Sequence, residues 1–337
     1  MPRAAVPPPV AWAASLAVGF APMESPAAGQ GTPLGPLTFE EGAPLQRLGY
    51  TGVTESAEVL PGAGVSASLW FAYANIFERD SSATHQVVLD LERLIASATV
   101  RAGLGKGVEI GVRAAWENTG GGILDPVIVG FHNAFGLGNH FRERYPYGEH
   151  QVTFVDARGR LRLAVPRREW ALTEVRLFGK WRVFRDVSRQ RVLSFRVSAR
   201  IPMVDDPFGT ERADVAVAAM ARREWRGWHG HGVVEGFSVR TLPELRDVLR
   251  GWGWLLAVAL ERPLGPGASG VIQFVASPPL TRPLGDPDMD HAVTDLVVGV
   301  VGRAGNGWRW EASLQEDVPP RGPSLDFQLQ VGVTRVW

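Results

Sequence analysis

The residues best placed to do chemistry are cations on two neighbouring segments. Arg176, Lys180 and Arg182 recur at even spacings along 169–184, and Arg196 and Arg200 do so along 191–203. In an extended chain, alternate residues share a face. A hairpin about 185–190 therefore sets Lys180 near Arg196 and Arg176 near Arg200. Like charges directly opposed across two strands destabilise a sheet, so this pattern demands a partner. Glu109 or Glu174 could supply it, and so could a bound anion. Arg113 shares a face with Glu109, and Asp295, Glu311 and Asp326 provide acid on other segments. An interior with basic and acidic walls would orient a solute's dipole or favour one sign of ion. The alternative is a packed ion-pair network that fills a narrow interior.

Other chemistry is sparse. His229 and His231 fall on one face in Trp228-His229-Gly230-His231-Gly232, but no acid accompanies them, so a metal site is not assigned. His132, His140 and His150 lie in a long polar stretch and read as solvated. Ser194 and Ser198 face the same side as Arg196, away from any membrane lipid. The chain lacks Gly-x-Ser-x-Gly, phosphate-loop and His-Glu-x-x-His strings. It has no cysteine, which removes disulfides, thiolate zinc ligands and thiol nucleophiles. No catalytic residue, metal ligand or cofactor is therefore assigned. Lysine plus arginine and aspartate plus glutamate both number 35, a balance that argues against nucleic acid as a partner.

The elements that carry these residues read as strands with period two. Twelve spans qualify: 64–76, 87–104, 107–118, 169–184, 191–203, 213–225, 229–240, 251–261, 269–277, 292–303, 306–317 and 325–337. Leu325, Phe327, Leu329, Val331, Val333 and Trp337 take one face of the last span, and Asp326, Gln328, Gln330, Gly332 and Thr334 take the other. Most spans reach the ~9–11 residues that a tilted strand needs to cross a bilayer. Short links (105–107, 185–190, 263–268, 304–306) alternate with longer ones (77–86, 119–168, 204–212, 278–291, 318–324). Outer-membrane barrels have short turns at the periplasmic end and long loops outside. Twelve tryptophans against four tyrosines fit two aromatic girdles at the strand ends. Mean hydropathy near zero is compatible with a barrel, because alternation hides its apolar face. Beyond residue 28, no run of eighteen apolar residues occurs, which excludes a helical membrane protein.

The expected organisation is a signal peptide over 1–28, a periplasmic N-terminal segment over 29–63, and a transmembrane β-barrel over 64–337. The leader carries Arg3, an apolar run from Val10 to Ala21, and small residues at Ser25, Ala27 and Ala28 for cleavage. Segment 29–63, rich in glycine and proline, has burial inside the barrel as its other option. Loop 119–168 is expected outside the cell, with a hairpin around Arg158-Gly159 and a short helix within 124–137. The fold class is all-β, a single antiparallel transmembrane barrel of about twelve strands.

Several motifs in order point the same way. They are Ser56-Ala57, Leu60-Pro61, Ala74-Asn75-Ile76-Phe77, Leu89-Asp90-Leu91-Glu92, Gly105-Lys106-Gly107-Val108-Glu109-Ile110-Gly111, and Gly121-Gly122 followed by Phe131-His132-Asn133-Ala134-Phe135-Gly136-Leu137. Together they resemble the bacterial domain-of-unknown-function family 3187, with Leu91 standing where glycine commonly precedes the acid. The resemblance implies an outer-membrane barrel and carries no catalytic residue with it. The expected location is the bacterial outer membrane, with its lipids and lipopolysaccharide as partners. The strand ending at Trp337 would meet the barrel assembly machinery.

The expected function is a narrow pore or uptake channel for small polar or anionic solutes, with Arg176, Lys180, Arg196 and Arg200 at its constriction. The alternatives are an enzyme acting on membrane lipid or lipopolysaccharide, and a structural or adhesion barrel without transport. On this reading Leu329→Arg blocks assembly and Gln328→Arg is accepted.

Overall fold

A computed structural model of the chain describes residues 33–48, 50–136, 142–188, 190–203, 213–240, 245–284, 287–305, 307–318 and 325–337. The expected leader over 1–28 and His140 lie outside the described residues. The strands are β1 (Val65–Ser81), β2 (His85–Gly105), β3 (Val108–Gly120), β4 (Gln151–Asp156), β5 (Leu161–Ala164), β6 (Arg168–Asp186) and β7 (Arg191–Pro202). They continue as β8 (Asp214–Trp225), β9 (Trp228–Ser238), β10 (Trp252–Gly265), β11 (Ala268–Ser277), β12 (Val293–Ala304), β13 (Trp308–Asp317) and β14 (Phe327–Val336). Among the described residues, two α-helices, α1 (Asp125–Phe135) and α2 (Pro287–Asp290), lie in the long links.

Among the described residues, twelve strands close one antiparallel barrel: β1, β2, β3, then β6 through β14, with β14 pairing back onto β1. The β4–β5 hairpin attaches to the outer part of β2 through His85↔Asp156 to Asp90↔Gln151. Each strand matches an expected span to within a few residues. The largest difference is that β1 runs on through Phe77-Glu78-Arg79-Asp80, still paired with β2, where the apolar alternation is lost. Their ladder continues above the bilayer because polar pairs replace lipid contact there, with Arg79 bonded to Asp90 at 2.9 Å. The boundary near Trp225, indistinct in sequence, is a two-residue turn. Arg226 and Gly227 both take positive φ (51° and 77°) and bring Trp225 opposite Trp228.

Sidedness follows the pleat. Leu329, Val331 and Val333 are 45%, 54% and 43% exposed, while Gln328 and Gln330 are at 0% and 2%. Apolar residues thus point out on every second position, as lipid requires. Trp181, Trp225, Trp308, Trp310 and Trp337 stand exposed at the short-turn end, and Trp116, Trp170 and Trp252 at the long-loop end. Arg335 lies over the rings of Trp308 and Trp337 at 5.2 and 5.7 Å, the strand-end position at which a long cation reaches the headgroups.

Residues 33–48 and 50–60 lie inside the barrel. Leu34 N and Gly35 N donate to Glu261 at the short-turn end (2.8 and 2.9 Å). The chain climbs to an apex at 42–48, where Arg93 donates to Gly42 O (2.8 Å) and Leu280 N donates to Gln46 Oε1 (3.1 Å). It returns past Tyr50 and Glu55 to Leu60, whose N–H meets Glu109 at 2.8 Å, again near the short turns. Glu40 bridges Val53 between the two limbs. The assignment of 29–63 to the periplasm is therefore corrected for 33–60. This segment carries Leu37, Phe39, Leu45 and Leu48, which join Leu255, Leu280 and Leu325 in one buried cluster, so water would be a poor solvent for it.

Outside the barrel, Asp156 caps the β4–β5 turn. Its carboxylate accepts from Arg160 Nε (2.9 Å) and from the backbone N–H of Arg158 and Arg160 (2.9 and 3.1 Å). The Arg160 side chain, followed by these amides, holds the carboxyl well below its ordinary range. A depressed folded value stabilises above the unfolded one and is lost as pH falls. Asp156→Asn is expected to speed hydrogen exchange across Leu161–Ala164 several-fold at neutral pH. The parent should approach the variant only as pH drops below about 4. Equal exchange in the two at neutral pH would remove the cap from the account.

Candidate functional site

The basic ladder forms as the spacing requires. Arg176 pairs in register with Arg200, and Lys180 with Arg196. All four are at most 4% exposed. Their compensation comes from three directions. Strand β3 supplies Glu109 (3.1 Å from Lys180), and β6 itself supplies Glu174 (3.0 Å from Arg176, 3.9 Å from Arg200). Strands β8 and β9 add Asp214, 3.6 Å from Arg200, and Glu235, 2.7 Å from Arg196.

The third source is the internal hairpin 33–60. Glu55 lies 2.7 Å from Arg196, 2.8 Å from Arg101 and 3.4 Å from Lys180. Glu40 pairs with Arg113 and Arg47, and Arg113 also donates to Glu174 at 2.7 Å. Glu58 reaches Arg222 at 3.0 Å and Arg182 at 3.8 Å. The Tyr50 ring lies 4.4 Å beneath the Arg176 guanidinium, and its hydroxyl donates to Glu235 at 3.0 Å. Glu55 thus occupies the place a bound anion would take.

Two expected members lie elsewhere. Glu311 pairs with Arg309 on its own strand (2.7 Å), and Arg309 holds Leu34 O and Pro36 O where the hairpin enters. Asp326 pairs with Arg142 at the long-loop rim. Neither pairs with the ladder. Arg176, Lys180, Arg196 and Arg200 line a filled interior, so the expected constriction is not open. A cavity of about 20 Å³ lies between hairpin and wall, lined by Phe39, Glu41, Tyr50, Phe237 and Leu255, room for about one water.

His229 and His231 are buried and inward, and His231 Nε2 lies 2.9 Å from Glu261, the carboxylate that clamps the hairpin's entry. His132, read as solvated, is instead 6% exposed and 3.2 Å from Glu316. Sequence reasoning missed the hairpin's role. Its signal was present: residues 33–60 hold four glutamates and one arginine, a net charge of −3 facing a basic wall.

Burying this many ions is costly unless each is paired and hydrogen-bonded. For Arg101, Arg113, Lys180 and Arg196, part of that pairing comes from the hairpin. None of the wall's own strand pairing involves it, because β1 and β14 close the sheet directly. The hairpin is an occupant of the barrel and not a stave of it.

Comparison with known proteins agrees with this architecture. The outer membrane channel COG4313 of Pseudomonas putida F1 superposes with a TM-score of 0.54 at 11% identity, covering 83% of this chain and 98% of that one. The KdgM porin, solved with disordered oligogalacturonate, gives 0.42 at 6% identity, covering 80% and 98%. The CymD monoaromatic hydrocarbon channel gives 0.40 at 9% identity, covering 82% and 88%. No curated protein matches the chain. A family model described as "Protein of unknown function (DUF3187)" matches residues 20–337, and the chain, an outer-membrane-type barrel with its own N-terminal hairpin inside, belongs to that family.

Proposed function

We propose that the protein is a self-closed channel of the bacterial outer membrane, and that small anionic solutes pass when the 33–60 hairpin leaves the barrel. The observation that carries this reading is the division of charge. The hairpin's net −3 sits against a wall whose cations Arg101, Arg113, Lys180 and Arg196 it neutralises. With the hairpin gone, those cations would face a hydrated lumen and favour anions. The solved barrel with the 0.54 TM-score is itself described as an outer membrane channel, which is in keeping with a conduit.

The test is conductance in planar bilayers of the intact chain and of a variant lacking 33–60. The intact chain should be closed or open only in brief events. The deletion variant should conduct steadily and prefer anions. Neutralising Arg176 and Arg196 in that background should reduce the preference. A deletion variant that is folded by heat-modifiable mobility yet silent would end the channel reading and leave a structural barrel.

A further inference from the structure

On the outside of the barrel, the register of β1 and its neighbours defines an apolar row that ends abruptly. Tyr73 pairs with Leu94 and Leu329, both outward and exposed, and the next outward rung is Asn75 with Glu92 and Phe327. Asn75 comes eleventh in β1 counted from Val65. A tilted strand spends ~9–11 residues in hydrocarbon, so this rung lies at the outer boundary of the lipid core.

The rung is covered. Leu124 N donates to Glu92, and Asn75 Nδ2 donates to Glu92 (3.2 Å) and to Asp125 (3.0 Å). Arg142 pairs with Asp125, and its guanidinium lies 4.6 Å from the centre of the Phe77 ring. His132 faces Glu316, and the Phe131 ring lies 6.0 Å from that of Phe327. Gly122 takes φ +68° against Glu92, where a Cβ would collide with that carboxylate. Helix α1 therefore lies on the outer wall of the barrel and turns Asp125 and His132 inward, onto the wall.

Its other face has no charge. The exposed positions from Ile123 to Gly136 include Pro126, Val127, Gly130, Asn133 and Ala134, with Ile123 79% and Val127 62% exposed. The ionisable residues of this stretch, Asp125 and His132, are both buried. A water-facing loop helix would ordinarily show the reverse pattern. We infer that α1 is an interfacial helix seated in the outer leaflet, with Ile123 and Val127 against lipid acyl chains. Two features commit it to lipid over a protein partner. The face continues the lipid-facing wall of β1, β2 and β14, and it stands at the depth where amphipathic helices lie, ~5–10 Å into the headgroup–acyl boundary.

The absence of native cysteine makes the test clean. Val127→Cys and, separately, Ile123→Cys would carry an environment-sensitive nitrobenzoxadiazole probe, in phosphatidylcholine vesicles with and without an acyl chain spin-labelled near the headgroup. Ala157→Cys, at the exposed tip of the β4–β5 turn, is the control. Folding is checked in each sample by heat-modifiable mobility. Probes at 127 and 123 should be blue-shifted and quenched severalfold more than at 157. Quenching no greater than at 157 from either folded variant would overturn the inference. So would efficient disulfide linking of two Val127→Cys chains in vesicles, which would place a second copy on this face.

Discussion

Glu55→Ala is expected to release the internal hairpin from a barrel that stays folded. Glu55 is shared by Arg101, Lys180 and Arg196, and it and the last two are at most 8% exposed. Removing one partner of a buried ion pair leaves an uncompensated charge and costs about 3–5 kcal/mol. The barrel's backbone ladder does not depend on that carboxylate, so the inexpensive relief is for water to enter and the hairpin to leave. A cysteine at Thr51, only 4% exposed on the returning limb, reports this directly. Its reaction with a water-soluble maleimide should accelerate at least tenfold in the Glu55→Ala background. Glu58 is about a third exposed, and Glu58→Ala should hardly change the rate. A folded Glu55→Ala barrel with Thr51→Cys still protected would mean that apolar packing, through Leu37, Phe39 and Leu45, holds the hairpin without help from charge.

The second large effect is on insertion. Leu329 is outward, between Tyr73 on β1 and Leu314 on β13, and Val331 lies one rung deeper between Phe71 and Ala312. Arginine on the lipid face costs about 2–4 kcal/mol at the midplane and less near the interfaces. Leu329→Arg should lower the folded, heat-modifiable fraction severalfold, and Val331→Arg should lower it further. Equal folded yields for both variants and the parent would reverse the assignment of faces. Gln328→Arg, which the alternation alone would accept, is a different case. Gln328 is fully buried and donates to Glu40 O (3.0 Å) and Gln315 Oε1 (2.8 Å). A longer cation there presses on the hairpin near Gly42, so the expected product is a folded barrel with Thr51→Cys exposed.

These two cases mark where the sequence is legible. Strand positions and faces could be read because lipid imposes a strict period of two, and β14 displays it from Phe327 to Thr334, with only Arg335 breaking the apolar face at the strand's end. The opposition of Arg176 to Arg200 and of Lys180 to Arg196 follows from that period and one short turn. The demand for nearby acid followed too, and Glu109 and Glu174 answer it. Glu55, Glu40 and Tyr50 could not be placed in the same way. They lie on a segment without regular periodicity, and its position is set by long-range pairing with strands as far as 288 residues away, as between Glu40 and Gln328. A short helix within 124–137 was expected, and α1 lies there. Its docking was not, because Asn75, Glu92 and Glu316 reveal their purpose only when three separate strands bring them to one rim.

The hairpin's route has a mechanical consequence. Both limbs pass through the same mouth of the barrel, so no free end must be threaded for the segment to come out. A tug at Pro33 would load Leu34 and Gly35 against Glu261 first, then peel the ascending limb toward its bend, one bond after another. Unzipping of this kind needs a far smaller peak force than shearing all contacts together, and slackening the tether would let the same loop slide home.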